Sequence, residues 1–363
     1  MIWEDTDEYL HGIYGGIAVP KEYEKVAGFD LDDTLITTKS GHKFPKDSTD
    51  WQFQYDEYVV ENKIRKLFKQ NFKIIIFTNQ KGLKNTQKIN DWKIKMENIL
   101  KVINLPIEVY VSLCDGIYRK PMPTFWHMAT NRNNHEESFY CGDMAGRNRD
   151  HSDTDLKFAI NNKIKFLAPE EFFLDQEVEY PKLSLKKHEK QLSEYISSKY
   201  NFKPIKSGNE IVIMVGIQGS GKSTFVEKQI APHDYKIISS DKTKNKSKLI
   251  KDTEKLMKDN ENIVIDNTNP DKESREPFIE LAKKYKYKIR CVVMKIPIEI
   301  AKHNMGYRTY KGIAQYIPEI AYRIFNKKYQ EPELDEGIDK IIEIDKLDCD
   351  EKMFKREYNM FFN

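Results

Sequence analysis

Cysteine is scarce in this sequence: Cys114, Cys141, Cys291 and Cys349 stand far apart and none lies in a CxxC pair. A disulfide scaffold and a thiolate zinc site both need more cysteines or ligand spacing, so all four are read as reduced and structural. Long apolar runs are missing as well. Residues 74–77 and 211–215 fall far short of the roughly 18 residues that a membrane-spanning helix requires. The first residues carry Glu4, Asp5 and Asp7 where a secretory leader would have a basic and then an apolar stretch. An intracellular protein is expected, in nucleus or cytoplasm, with no membrane partner. Nor does one sign of charge dominate, since 60 basic against 57 acidic side chains leave a net charge of +3. Any polyanion must therefore be met by a local patch, for which the lysine-rich stretches 242–251 and 283–288 are candidates.

What is present points to two cores. The 363 residues exceed what one hydrophobic interior ordinarily supports, and 39% hydrophobic with 12% aromatic content suffices to pack two. Apolar, β-branched runs at 26–31, 72–77, 107–113 and 138–141 alternate with helical spacing at 57–70, 90–103 and 153–161, the pattern of buried parallel strands covered by helices. A polar, lysine-rich stretch, 176–210, with a helix expected over 185–199, interrupts this pattern. Beyond it, runs at 211–215, 236–238, 263–265, 288–295 and 341–344 predict a second α/β sheet. The expected division is a first domain 1–178, a linker 179–209 and a second domain 210–363.

The first run ends in FDLDDT, which places Asp30 at the carboxyl end of a strand, where open α/β sheets bind ligands. The spacing lets Asp30 attack phosphorus to form an aspartyl-phosphate. Asp32, two residues on, can protonate the leaving oxygen and then activate water. Carboxylates meeting a phosphate need a cation, and hard oxygen ligands favour Mg2+; Asp143, after SFYCG, joins Asp30 and Asp32 as the expected ligand set. Thr78, in the IIIFTN run, can donate a hydrogen bond to a phosphoryl oxygen, and Lys120 of RKPMP can offset its charge.

A second signature, GIQGSGKST, follows the 211–215 run and precedes a helical stretch. It satisfies GxxxxGK[ST]: Gly216, Gly219, Ser220, Gly221, Lys222, Ser223 and Thr224 form a candidate cradle for the phosphates of ATP, with Lys222 bridging oxygens and Ser223 on Mg2+. A P-loop alone does not separate a kinase from a GTPase or a motor. Asp241, after KIISS, is the candidate base for an acceptor hydroxyl; it could equally cap the next helix.

VAGFDLDDTLITTKSG, FPKDSTDW, IIIFTNQKGL, RKPMPTFW, CGDMAGR and LAPEEFFL together resemble the phosphatase domain of the polynucleotide kinase 3'-phosphatase family, within the haloacid dehalogenase superfamily. IVIDNTNPD and AKHNMGYR resemble its kinase domain. The resemblance implies an α/β chain of two domains, a haloacid-dehalogenase-like Rossmannoid phosphatase followed by a P-loop kinase with a parallel sheet. It implies removal of 3'-phosphates and ATP-dependent phosphorylation of 5'-hydroxyls at nucleic-acid ends. DNA strand-break repair is favoured over RNA end repair. It also makes Arg308 a lid residue over ATP, Asp150 and Asp155 secondary phosphatase-site candidates, and Asp266 with Asn267 candidate holders of metal or substrate. The last four could instead cap helices or form turns.

Asp33 stands where the family usually has glycine and Ser240 where it often has arginine; Lys242, Lys244 and Lys246 are candidate replacement phosphate contacts. No phosphopeptide-binding domain is expected in front of the aspartate box; residues 9–26 are expected to add an edge strand, and a monomer is compatible with the chain. A small-molecule kinase/phosphatase and a decayed nucleic-acid-binding factor remain the alternatives. Trp51, Trp92 and Trp126 are readable either as base-stacking platforms or as core.

Overall fold

The computed structural model describes residues 1–15, 25–132, 136–197, 200–240, 243, 245–348 and 357–362. The chain divides into two units. One comprises Met1–Leu185 with the terminal stretch from Met360, and the other Lys186–Asn359. The division falls inside the stretch expected as a linker, and residues 186–209 belong to the second unit.

The first unit is built on a seven-stranded sheet. Its strands are β1 (Ile2–Asp5), β2 (Tyr9–Tyr14), β3 (Lys25–Phe29), β6 (Phe72–Asn79), β7 (Ile107–Ser112), β8 (Phe139–Cys141) and β9 (Lys165–Leu167), while a two-stranded ribbon, β4 (Ile36–Thr37) with β5 (Gln52–Phe53), follows β3. Their order is β1-β2-β7-β6-β3-β8-β9; the five from β7 to β9 pair in parallel, and β2 pairs antiparallel with β7 and β1. The expected amino-terminal strand is thus β2, one place in from the edge that β1 occupies. The side-chain period of two along β6 feeds two cores. Ile74 and Ile76 join Phe29, Val109 and the buried faces of α1 (Glu57–Lys69) and α2 (Thr86–Ile103); Ile75 and Phe77 join Tyr110, Trp126, Tyr140 and Phe158 on the other side, with α3 (Thr124–Thr130) and α4 (Thr154–Asn162). A short helix, α5 (Pro169–Leu174), follows β9. Trp92 and Trp126 are buried in the core, and Trp51 packs half-buried against it.

The second unit carries a wholly parallel five-stranded sheet of β11 (Glu210–Val215), β12 (Lys236–Ile238), β13 (Ile263–Ile265), β14 (Lys288–Met294) and β15 (Lys340–Ile344), in the order β12-β13-β11-β14-β15. Every residue of the central β11 is buried, as expected of a strand covered on both faces. The helix expected over 185–199 stops earlier. It is α6 (Leu185–Ser193), followed by β10 (Ile196–Ser197), which pairs in parallel with β16 (Leu347–Asp348). That long-range pairing prevails over local helical spacing. The remaining helices are α7 (Lys222–Phe225), which runs into a π-turn at Val226–Ile230, α8 (Lys246–Lys258), α9 (Lys272–Tyr285), α10 (Ile298–Tyr310) and α11 (Glu319–Lys328). Arg275 is fully buried yet satisfied: its guanidinium donates in bidentate fashion to Glu336 at 2.7 and 2.9 Å and to the carbonyls of Asn269 and Gln330. Among the described residues no helix is long and apolar enough to cross a membrane.

Candidate active sites of the two units

In the first unit the site lies where β3, β6 and β8 end. The Asp30 amide donates to the Cys141 carbonyl at 2.9 Å, extending the β3–β8 ladder by one step and bringing Asp30 beside the loop that carries Asp143. The chain then turns sharply. Asp33 has a φ of 55°, a left-handed conformation that explains why glycine would suit this position and why aspartate, one of the few tolerant residues, can replace it.

Lys120, 4% exposed, organises the charges. Its ammonium donates to Asp30 at 2.7 Å, to Asp155 at 2.7 Å and to the Tyr140 hydroxyl at 2.6 Å, using all three protons. Burial opposes its charge, but Asp155 and Asp30 overcome that and raise its pKa. Asn79, at the end of β6, fixes the lysine's backbone by accepting from its N–H and donating to its carbonyl. Asp155 also accepts from the Met144 amide, and it approaches this closely because residue 142 is glycine: a Cβ there would overlap the Asp155 carboxylate.

Oxygens of Asp30, Asp143 and Asp155 lie within 4.8 Å of one another. Burial pushes Asp30 up to about 7 against the pull of Lys120, and pushes Asp143 up to about 9, helped by Asp30 and Asp155. Three carboxylates against one ammonium leave excess negative charge in a poorly solvated place. An all-oxygen donor set of this charge fits a divalent cation.

The other expected residues take distinct places. Asp32 is not among the three clustered carboxylates; it accepts from Gln80 at 2.6 Å and lies 3.7 Å from the buried ammonium of Lys95. Gln80 also donates to the hydroxyl of Thr78, which is buried. Thr34 donates to Asp143 at 3.2 Å. Asp150 stands outside the cluster. It accepts from the Ala145 and Arg147 amides and from the Arg147 side chain, which in turn holds the Asp143 carbonyl.

In the second unit Gly216, Gly219 and Gly221 have φ of 155°, 82° and 88°, so the loop curls through conformations that side chains disfavour. At Gly219 a Cβ would also overlap the Ala301 carbonyl of α10. The Lys222 ammonium donates to the carbonyls of Gly216 and Ile217 at 2.8 Å each, across the mouth of the loop. Ser220 is buried and its hydroxyl has no partner among the described residues; Ser223 and Thr224, in the first turn of α7, are partly exposed. This is a cradle that suits the phosphates of a nucleotide.

The segment after β13 stitches the site together. Asn267 accepts from the Ser240 amide at 2.7 Å, Thr268 accepts from the Gly216 amide at 3.1 Å, and Asn269 donates to the Met214 carbonyl at 2.8 Å. The Asp266 amide donates to the Ile238 carbonyl. Arg308 is exposed near the end of α10, and Lys246 is exposed at the start of α8. Asp241, Lys242 and Lys244 lie outside the described residues.

Comparison with known proteins matches both halves. Residues 25–173 fit the polynucleotide kinase 3 phosphatase family, and residues 211–332 fit the AAA domain family. A bifunctional polynucleotide phosphatase/kinase of Schizosaccharomyces pombe is 36% identical over 94% of this chain and 84% of its own length. The chain belongs to the bifunctional polynucleotide phosphatase/kinase family. A protein of Acanthamoeba polyphaga mimivirus is 34% identical over 99% of this chain and 95% of its own. The polynucleotide 3'-phosphatase ZDP of Arabidopsis thaliana shares 34% identity over 42% of this chain and 24% of its own. The fold is accordingly a haloacid-dehalogenase-like phosphatase joined to a P-loop kinase.

Within this polynucleotide phosphatase/kinase, sequence reasoning missed Gln80, Lys95 and Tyr140. Gln80 follows the FTN triplet by one residue and Tyr140 alternates with Phe139 and Cys141 along β8, so each carried a faint positional signal. Lys95 carried none, since a lysine on an amphipathic helix reads as surface.

Proposed function

We propose that the chain hydrolyses 3'-phosphates and phosphorylates 5'-hydroxyls of polynucleotide ends with ATP and Mg2+, with DNA strand breaks as its substrate. The observation that carries this reading is the Lys120-centred carboxylate cluster beside Asp30, in one chain with an intact phosphate cradle. Asp30 attacks phosphorus; Asp32, oriented by Gln80, protonates the departing ribose oxygen and then takes a proton from water. Lys120 offsets the charge of the phosphoryl group from its place against Asp30, and Thr78 donates to a phosphoryl oxygen. Asp30 and Asp143 of the buried cluster would hold Mg2+, which would supply charge neutralisation at the phosphoryl oxygens, while Asp32, expected as a third ligand but held by Gln80 and Lys95 outside the cluster, keeps the acid/base role. In the kinase half Lys222 and the loop amides bind the ATP phosphates, Ser223 is the metal-facing hydroxyl, Arg308 offsets charge on the moving phosphoryl group, and Asp241 is the acceptor's base.

Support for a polynucleotide comes from the loop after β4. Asp50 accepts from the Ser40 hydroxyl and amide and from the Lys46 amide; these bonds, the Ser40 hydroxyl's first, hold its carboxyl down at about 2. The loop so fixed presents Phe44, 73% exposed, with the Lys43 ammonium 5.9 Å from its ring centre. Aromatic rings beside cations suit unstacked bases. Phe44→Ala is expected to raise KM for a 3'-phosphorylated oligonucleotide about tenfold while leaving turnover of p-nitrophenyl phosphate unchanged. Equal effects on both would remove the stacking role. The class as a whole is tested by comparing oligonucleotides with free nucleoside and sugar phosphates. Preference for the oligonucleotide by orders of magnitude is expected, and parity would favour a metabolite enzyme.

The cluster also sets a pH dependence. Asp30 and Asp143 keep protons in the folded state that the unfolded chain releases from about pH 4 upward. The stability contributed by those protons is therefore lost as pH rises through about 7 and then about 9. In EDTA the melting temperature of the phosphatase unit should fall between pH 6 and pH 9, and added Mg2+ should restore it most at pH 9. A flat profile in EDTA would contradict the charge distribution described.

A further inference from the structure

Helix α10 packs Ala301 and Met305 against the phosphate loop at Ile217 and Gly219, and it hydrogen-bonds to the loop through the side chain of Asn304. The Asn304 amide nitrogen donates to the Gly219 carbonyl at 2.9 Å, at the loop residue whose missing Cβ lets α10 approach. An asparagine amide can turn either end toward a neighbour, so something must fix its sense. The Tyr358 hydroxyl does so by donating to the Asn304 oxygen at 2.6 Å, which leaves only the NH2 end for the carbonyl of Gly219. Tyr358 is held in its turn. Its ring packs edge-on to His303 and Tyr307 at 4.8 and 5.1 Å, and its carbonyl lies 2.7 Å from Nε2 of His303. Burial, then His188, depresses His303 to about 3, so the ring is neutral, Nε2–H donates to Tyr358, and Nδ1 accepts from His188 at 3.3 Å.

We infer that Asn304, oriented by Tyr358, is a positioning residue of the kinase reaction that fixes the phosphate loop at Gly219 to the helix carrying Arg308. The inference rests on the kinase reading of this unit. Asn304 and Arg308 are four residues apart on α10, one turn along the same face. Through this hydrogen-bond chain the cradle and the lid arginine keep a set register, although Tyr358 lies far along the chain from Gly219. The effect belongs in nucleotide binding. A loop free to shift at Gly219 offers its amides to the phosphates less often, so affinity for ATP falls before the chemical step does.

The test uses the full chain, with N304A, N304D, Y358F and N304A/Y358F compared to the parent. The readings are mant-ADP affinity, kinase KM for ATP and kcat on a 5'-hydroxyl oligonucleotide, and phosphatase rate on the same samples as a check on folding. N304A should weaken mant-ADP binding and raise KM for ATP about three- to tenfold with kcat little changed. N304D, which sets a carboxylate against the Gly219 carbonyl, should be worse than N304A. Y358F should act in the same direction and add nothing in the N304A background. Unchanged affinity in N304A, or additive effects of the two substitutions, would overturn the inference. A parent that binds mant-ADP but phosphorylates no 5'-hydroxyl would refute the kinase reading separately, with the affinity series still deciding the role of Asn304.

Discussion

Asp30→Asn is expected to lower 3'-phosphatase turnover by about 10³-fold or more while leaving 5'-kinase turnover within about twofold; Lys222→Ala should do the reverse. Asparagine keeps the shape of Asp30 and can still accept the proton of Lys120 that now lies 2.7 Å from the carboxylate, but its amide oxygen is no match for a carboxylate as a nucleophile at phosphorus. The substitution also relieves the crowding of three carboxyl groups round one ammonium, so the fold should not suffer. Alanine at 222 deletes the ammonium that spans the loop mouth at Gly216 and Ile217, and with it the charge that holds the nucleotide phosphates, at a cost of about 10²–10³-fold. Each site is built within its own unit. Loss of both activities in either folded variant would show that the two chemistries share machinery.

Lys120→Met should be the most damaging single change in the phosphatase unit. Methionine fills much of the same volume but leaves Asp30, Asp143 and Asp155 without their ammonium, and the Tyr140 hydroxyl without that partner. Removing one member of a buried ion pair typically costs about 3–5 kcal/mol, so the melting transition of this unit should drop steeply. The loss should deepen as pH rises, because the remaining carboxylates must either hold their protons or be ionised uncompensated. The kinase rate at low temperature should be retained. Asp155→Asn in the same chain should recover much of the stability and none of the phosphatase activity. Additive destabilisation in the double variant would mean that Lys120 does not act through this cluster.

Much of this was legible in the sequence because chemistry and strand ends coincide. Asp30, Thr78 and Asp143 each lie in or just after an apolar run, and a parallel sheet delivers such residues to one edge whatever the details of packing. The P-loop was legible for the same reason. Asp155 is different: only the family resemblance named it as a secondary candidate, because in the first turn of α4 its local pattern is that of a helix-end residue, and the bare Gly142 and the long reach of Lys120 bring it into the cluster. Lys95 follows the same logic, since its burial depends on what α2 packs against. Residues 194–197 had helical spacing locally, but Ile196 and Ser197 pair with Leu347 and Asp348, 151 residues away. Local pattern carries no information about such partners. The same holds for Asn304 and Tyr358, which meet only because the chain returns to α10 after β16.

The most direct test of the account is a single incubation of the full chain with Mg2+, ATP and a nicked DNA duplex bearing a 3'-phosphate and a 5'-hydroxyl, with both ends resolved on a denaturing gel. A 3'-hydroxyl and a 5'-phosphate are expected from the same protein, both abolished by EDTA, with the 3' change alone surviving when ATP is left out. Folded protein that converts neither end, while hydrolysing small phosphate esters freely, would contradict it.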